Sequence, residues 1–144
     1  MSIGAEELVI KENWVTTSFN PQVPCIYQVC HGSPTSEEFK TTFNKVVEIL
    51  EAKNKNYPTI HYLIDTTQLA AVEYKDIDWV TREGDQIFYK LGMRKIAFII
   101  PSRGIFSKFF LSIYDFKAKR QPDYPIQHKF FYSMDTAVEW LKAK

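Results

Sequence analysis

Three features of the 144-residue sequence predict an α/β fold. Short apolar runs bounded by turn residues alternate with segments whose apolar residues recur every three or four positions. From Cys25 onward the order is strand then helix, repeated to the end of the chain, which by the right-handed crossover rule gives a mainly parallel sheet flanked by about four helices. The runs before it are close enough together to pair antiparallel, so N-terminal antiparallel strands lead into the parallel part.

Leu8 to Lys11, Trp14 to Phe19 and Cys25 to Cys30 read as the N-terminal strands, parted by the turn signals Glu12-Asn13 and Asn20-Pro21. Ser33-Pro34-Thr35 then halts the chain. Thr35 with Glu38 three residues later forms a capping box, and Phe39, Phe43, Val46, Val47 and Leu50 follow at the spacing of a helix with one buried face. Ile60 to Ile64 reads as a central strand ended by the turn chemistry of Asp65-Thr66-Thr67. The second helix runs from about Asp76 to Leu91, with Ile77, Val80, Gly84, Ile87, Phe88 and Leu91 on its buried side and Gly92 as its C-terminal cap. Ile96 to Ile100 is a strand apolar on both faces. A third helix, about Ile105 to Lys119, stops before Gln121-Pro122-Asp123; a last strand, Ile126 to Tyr132, then passes through Ser133 into a helix carrying Ala137, Trp140 and Leu141.

The length suits a single domain with one continuous core. Hydrophobic residues at 45% and charged residues at 24% exclude disordered and fibrous classes, while 15% aromatic residues demand either a packed core or an apolar pocket. A net charge of +1 with scattered lysines offers no field to hold nucleic acid. Met1 to Glu12 lacks the pattern of a signal peptide and no apolar run is long enough to span a bilayer, so a cytoplasmic location is expected. Cys25 and Cys30 sit on one extended run with side chains facing opposite ways, which prevents their pairing and makes them buried thiols.

This order of elements, with the ending Phe131-Tyr132-Ser133-Met134-Asp135-Thr136-Ala137-Val138-Glu139-Trp140-Leu141, resembles the small bacterial SpoIIAA-like proteins of the wider STAS group. A strand ending in Asp65 and the strand Lys95 to Ile100 after Gly92 add to the likeness, which covers nearly the whole chain. The resemblance implies a fold used for protein contacts and, in some relatives, for small apolar or nucleotide ligands. Family members that antagonise anti-sigma factors carry a phosphoacceptor turn at the head of the second helix. The corresponding Val72-Glu73-Tyr74-Lys75-Asp76 has neither serine nor threonine, so the usual phosphoacceptor serine is lacking.

Three groups of residues are candidates for a site. Ligands of open parallel sheets sit beyond the C-terminal strand ends, where Asp65, Thr66, Thr67, Ser102 and Arg103 would gather and suit an anion. On the polar side of the second helix, Trp79, Arg82, Gln86 and Tyr89 form a candidate partner face, because Trp, Tyr and Arg anchor interfaces. The third helix has an apolar arc too wide for one core-facing stripe, so Phe106, Phe109, Phe110, Ile113 and Tyr114 could cover an apolar pocket. His31, His61 and His128 are separated by the topology and are not expected to bind a metal.

The expected function is a non-enzymatic, regulatory protein-interaction module of the STAS-like type, acting through a protein partner or as a homodimer, with no cofactor. The alternative is a carrier or sensor of a small apolar or anionic ligand held in a pocket under the third helix.

Overall fold

The structure is a computed structural model that describes residues 8–103 and 106–144, with side chains from Val9 to Arg103 and from Ser112 to Lys144. It contains a six-stranded sheet whose spatial order follows the chain. β1 (Leu8–Lys11), β2 (Val15–Asn20) and β3 (Cys25–Gly32) pair antiparallel. β4 (His61–Leu69), β5 (Lys95–Ile99) and β6 (Gln127–Phe131) continue from β3 in parallel. The antiparallel lead-in and the parallel remainder are as the sequence predicts.

α1 (Ser36–Lys53) connects β3 to β4, and its capping box is complete: Thr35 Oγ1 accepts from the Glu38 amide at 3.1 Å while Glu38 Oε1 accepts from the Thr35 amide at 2.9 Å. Between β4 and β5 lie α2 (Tyr74–Trp79), a π-helical segment at Val80–Gly84, and α3 (Asp85–Lys90) in unbroken succession. Gly92 follows at φ +103°, where a Cβ would come within 2.4 Å of the Pro58 carbonyl oxygen, so the chain turns there only with glycine. α4 (Phe106–Lys119) joins β5 to β6. α5 (Met134–Lys142) ends the fold, its first turn capped by Ser133 Oγ, which accepts from the Thr136 amide at 3.3 Å.

Because the parallel strands succeed one another without reversal, same-handed crossovers bring every connecting helix to one face of the sheet. Residues of α1, α3 and α4 share a core with Phe19, Ile26, Tyr62, Ile96 and Phe98 of that face. The opposite face is covered by α5 over β4, β5 and β6, where Ala137, Val138 and Leu141 pack against Cys25, Leu63, Ala97 and Ile99. Cys25 and Cys30 are buried thiols in different clusters, and burial pushes the Cys25 thiol up to about 12. Among the described residues no helix is long and apolar enough to cross a membrane.

Two expectations are corrected. β4 does not end at Asp65: Asp65, Thr66 and Thr67 lie inside it, because β3 runs on past an irregularity between Val29 and His31 and pairs with Gln68 and Leu69. The second helix does not keep a single 3.6-residue phase either. Its π segment inserts one extra residue, after which Asp85 and Phe88 are buried while Ile87, expected inside, is 39% exposed.

Candidate functional site

Side chains alternate along a strand, so Gln28, Cys30, Tyr62, Ile64, Thr66, Ile96 and Phe98 all point from β3, β4 and β5 toward the connecting helices. Opposite them stand Phe39, Thr42 and Phe43 of α1, Val80 of the π segment, Asp85 and Phe88 of α3, and Tyr114 of α4. The two walls do not close on each other. They leave a cavity of about 80 Å³, with Trp14, Leu69 and Val72 completing its lining.

Most of that lining is aromatic or aliphatic. Phe43 and Phe88 stack with centroids 4.6 Å apart, Tyr62 meets Phe88 edge-on at 5.7 Å, and Phe98 meets Tyr114 edge-on at 5.1 Å. Gly84 allows this approach of the two helices, since a Cβ there would come within 2.9 Å of Phe43 Cε2.

Besides Thr66, three hydrogen-bonded groups interrupt the apolar wall among the described residues. A relay crosses the sheet from β4 to β2: the Tyr62 hydroxyl donates to Gln28 Oε1, and Gln28 Nε2 donates to Thr17 Oγ1 at 3.0 Å. Near the start of α1, Trp14 Nε1 donates to Thr42 Oγ1 at 3.1 Å, and Thr42 donates on to Glu12 at 3.2 Å. The third group is the most consequential. Asp85 is 1% exposed, and its Oδ2 accepts from the Tyr114 hydroxyl and, at 2.5 Å, from the Tyr124 hydroxyl; the two hydroxyls are themselves 2.6 Å apart.

Burial raises the Asp85 carboxyl to about 6, the two phenol donors opposing but not cancelling that effect. Burial also holds the Tyr62, Tyr114 and Tyr124 phenols well above their ordinary range, with Asp85 adding to the effect on all three. Near neutral pH the group therefore comprises one titrating carboxyl held by phenols that keep their protons. The phenol donors stabilise its ionised form, which makes Asp85 a buried acceptor facing an apolar space.

This cluster also divides the cavity from the outside. Asp85 and Tyr114 line the cavity, whereas Tyr124 lines an open groove of about 530 Å³ together with Asp115, Lys119, His128 and Trp140. His128 Nε2 lies 2.7 Å from Asp115 Oδ1, and its ring packs edge-on against Tyr114 and Tyr124.

The residues singled out from the sequence are distributed differently. Of the strand-end group, Thr66 lines the cavity and donates to the Ile99 carbonyl at 2.8 Å. Asp65 instead accepts from the amide and hydroxyl of Thr67 at 2.9 and 2.7 Å, and Ser102 and Arg103 are exposed after β5. On the second helix, Trp79 turns inward and meets Phe43 edge-on at 4.8 Å. Arg82 pairs with Asp78 at 2.6 Å, Gln86 donates to the Asp123 carbonyl at 3.4 Å, and Tyr89 lies under the Arg94 guanidinium at 3.8 Å. Tyr114 is 3% exposed at the cavity wall and Ile113 packs half-buried on the same core; the side chains of Phe106, Phe109 and Phe110 lie outside the described ones. His31 is exposed, and His61 and His128 project to opposite faces of the sheet. At the head of α2, Ser36 Oγ lies 2.6 Å from Glu73 and 2.7 Å from Asp76, so carboxylates and the start of α1 close that end.

Sequence reasoning passed over Asp85, Gln28, Tyr62 and Tyr124. Gly84-Asp85 did carry a signal: two poor helix formers side by side in the middle of a helical pattern mark a local departure from regular geometry.

No family model matches the chain, and no curated protein matches it. Among solved structures it is similar to an uncharacterised protein of the DUF3478 family with a SpoIIAA-like fold from Shewanella loihica. The two are 16% identical with a TM-score of 0.57, and the match covers 98% of each chain. The strand order, the antiparallel lead-in and this full-length match together establish that the chain has the SpoIIAA-like fold.

Proposed function

We propose that the protein is a non-enzymatic small-ligand carrier or sensor of SpoIIAA-like architecture, and that its ligand occupies the cavity between the sheet and the connecting helices. The observation that carries this reading is the cavity itself, with Asp85 and the Tyr62–Gln28 relay set into an apolar wall. An unfilled space of about 80 Å³ costs a fold on the order of 2 kcal/mol at the rate measured for core cavities. Ligand pockets have this make-up: apolar walls with a few placed polar groups. One water needs roughly 10–15 Å³ of such space, so the cavity suits a ligand of about five to eight non-hydrogen atoms rather than a long acyl chain.

The test is native mass spectrometry of protein purified without detergent, repeated after exposure to small apolar probes. Wild type should retain an adduct or take up a probe, and Val72→Trp, which fills the cavity from the loop before α2, should do neither. Wild type that takes up nothing, or a variant that binds as well as wild type, would contradict the proposal.

A second reading, a regulatory module acting through a protein partner or as a homodimer, draws on surface aromatics. Tyr74 and Phe116 are each 59% exposed, with Lys117 Nζ 4.5 Å from the Tyr74 ring centroid. Light scattering on wild type and Tyr74→Ala/Phe116→Ala tests the homodimer: wild type should be a dimer and the variant a monomer. A monomeric wild type, or a variant that stays dimeric, would contradict it.

A further inference from the structure

The charge inventory of the cavity goes beyond its shape. Every titratable residue in its described lining is acidic in type: Cys30, Tyr62, Asp85 and Tyr114. None of them supplies a positive charge. Among the described residues no lysine, arginine or histidine pairs with Asp85, whose hydrogen bonds come from uncharged phenols. By contrast Asp78, two residues before the π segment, is held by both Arg82 at 2.6 Å and Lys117 at 2.8 Å. Arg82 and Lys117 thus converge on the outer carboxylate, and no cation among the described residues reaches the inner one.

A buried carboxylate without a cation is a costly arrangement unless something else supplies the charge. The rings of Phe43, Phe88 and Phe98 bound the same space, and aromatic faces attract cations. An anionic ligand would place a second negative charge beside Asp85 in a water-poor space, where repulsion is least screened. A neutral alcohol could donate one hydrogen bond but would leave the charge of Asp85 uncompensated. A small protonated amine satisfies all three features: its ammonium meets Asp85, its apolar body fills the space, and its charge is stabilised by the rings.

We infer that the cavity ligand is a small organic amine, bound as its ammonium ion by Asp85 and enclosed by Phe43, Phe88 and Phe98. This inference rests on the ligand-pocket reading and puts a cationic ligand where the sequence suggested, as its alternative, a small apolar or anionic one. It also sets the pH dependence. Simple alkylamines, like the lysine ammonium, stay protonated to about pH 10, so between about pH 5 and pH 8 the carboxyl of Asp85 gains its charge while the amine keeps its own. The other titratable groups facing it are Tyr62 from β4, Tyr114 from α4 and Tyr124 from the loop before β6, with His128 of β6 behind the two tyrosines. Amine affinity should therefore rise as pH increases through about 6.

Calorimetric titration of wild type with cyclopentylamine, cyclopentanol and cyclopentanecarboxylate tests this, with NMR shifts at Gln28, Tyr62 and Phe88 locating the bound probe. At about pH 8 the amine should bind at least about tenfold tighter than the alcohol, with the carboxylate weakest, and the preference should shrink to about threefold or less near pH 5. Asp85→Asn should bring amine and alcohol within about threefold of each other at both pH values. Should that variant fail to fold, the wild-type comparison at two pH values decides alone. An alcohol or carboxylate that binds as tightly as the amine at about pH 8 overturns the amine assignment and leaves the pocket standing. If none of the three binds, both the assignment and the pocket fall.

Discussion

The two faces of the sheet are built from the same strands and solve opposite problems. Under α5 the contact is closed: Leu63 and Ala97 have no exposed surface and meet Ala137 and Leu141 directly. Under the connecting helices the side chains are larger, yet Tyr62, Phe88, Phe98 and Tyr114 leave a cavity with a carboxyl at its edge. A fold that can pack one face tightly has no general need for a void on the other. On the proposed reading, that void separates a binding face from a structural one.

Truncating a side chain on each face tests whether the two differ in this way. Leu63→Ala on the closed face should cost about 2–5 kcal/mol in denaturant unfolding, since it opens a cavity in tight packing. Ile96→Ala, which enlarges the existing cavity, should also destabilise, but a small apolar probe should recover a larger share of its loss than of the loss in Leu63→Ala, whose cavity starts from close packing. Equal rescue of both variants would mean that the faces do not differ as described.

Asp85 provides the next largest effect. Its carboxyl rises from 3.8 in the unfolded chain to about 6 in the fold, so between those values the native state binds more protons than the unfolded one. Its contribution therefore falls as pH rises across that window, reaching up to about 3 kcal/mol against the fold above it. Asp85→Asn, which keeps an oxygen for the two tyrosines, should be more stable than wild type near pH 8, with the difference fading toward pH 4, as urea unfolding at several pH values would reveal.

His61 works in the reverse sense. Burial, then Lys95 and Arg94, lower its imidazole from 6.5 to about 4, and among the described residues its buried Nδ1 has no hydrogen-bond partner. The unfolded chain gains that proton first as pH falls, so stability is lost from about 6.5 down to about 4. The two groups oppose each other across nearly the same range. His61→Phe should accordingly leave the opposite slope of Asp85 exposed, making the variant gain stability relative to wild type as pH falls.

The smallest effect concerns the cap of the closed face. Ser133→Ala removes the acceptor for the Thr136 amide and should cost about 1 kcal/mol. Hydrogen exchange should quicken in α5 and stay unchanged in α1 and α3, because those two helices pack on the opposite face.

What was legible in the sequence was local chemistry. Thr35 with Glu38, Ser133 and Gly92 each fix a helix end through atoms within a few residues, and all three perform the roles their types suggest. The alternation of apolar runs likewise reported the strand–helix order. Where a neighbouring element decides, the reading failed. Asp65 looked like a turn because its local sequence favours one, but an extended β3 offers it a partner strand. Ile87 looked buried because a regular helix would bury it, but the π segment between Trp79 and Asp85 rotates it outward and Asp85 inward. The candidate site depended on that rotation, and an assumed constant helical phase could not reveal it.

Asp85 lines a cavity whose proposed occupant carries positive charge. The most direct measurement is the titration of its carboxyl carbon by NMR, with and without saturating cyclopentylamine. The account predicts a midpoint near 6 in the protein alone and a fall of at least about one pH unit with the amine bound, since an adjacent cation favours the carboxylate. A midpoint that stays where it is, or rises, with the amine bound at the cavity residues would contradict it.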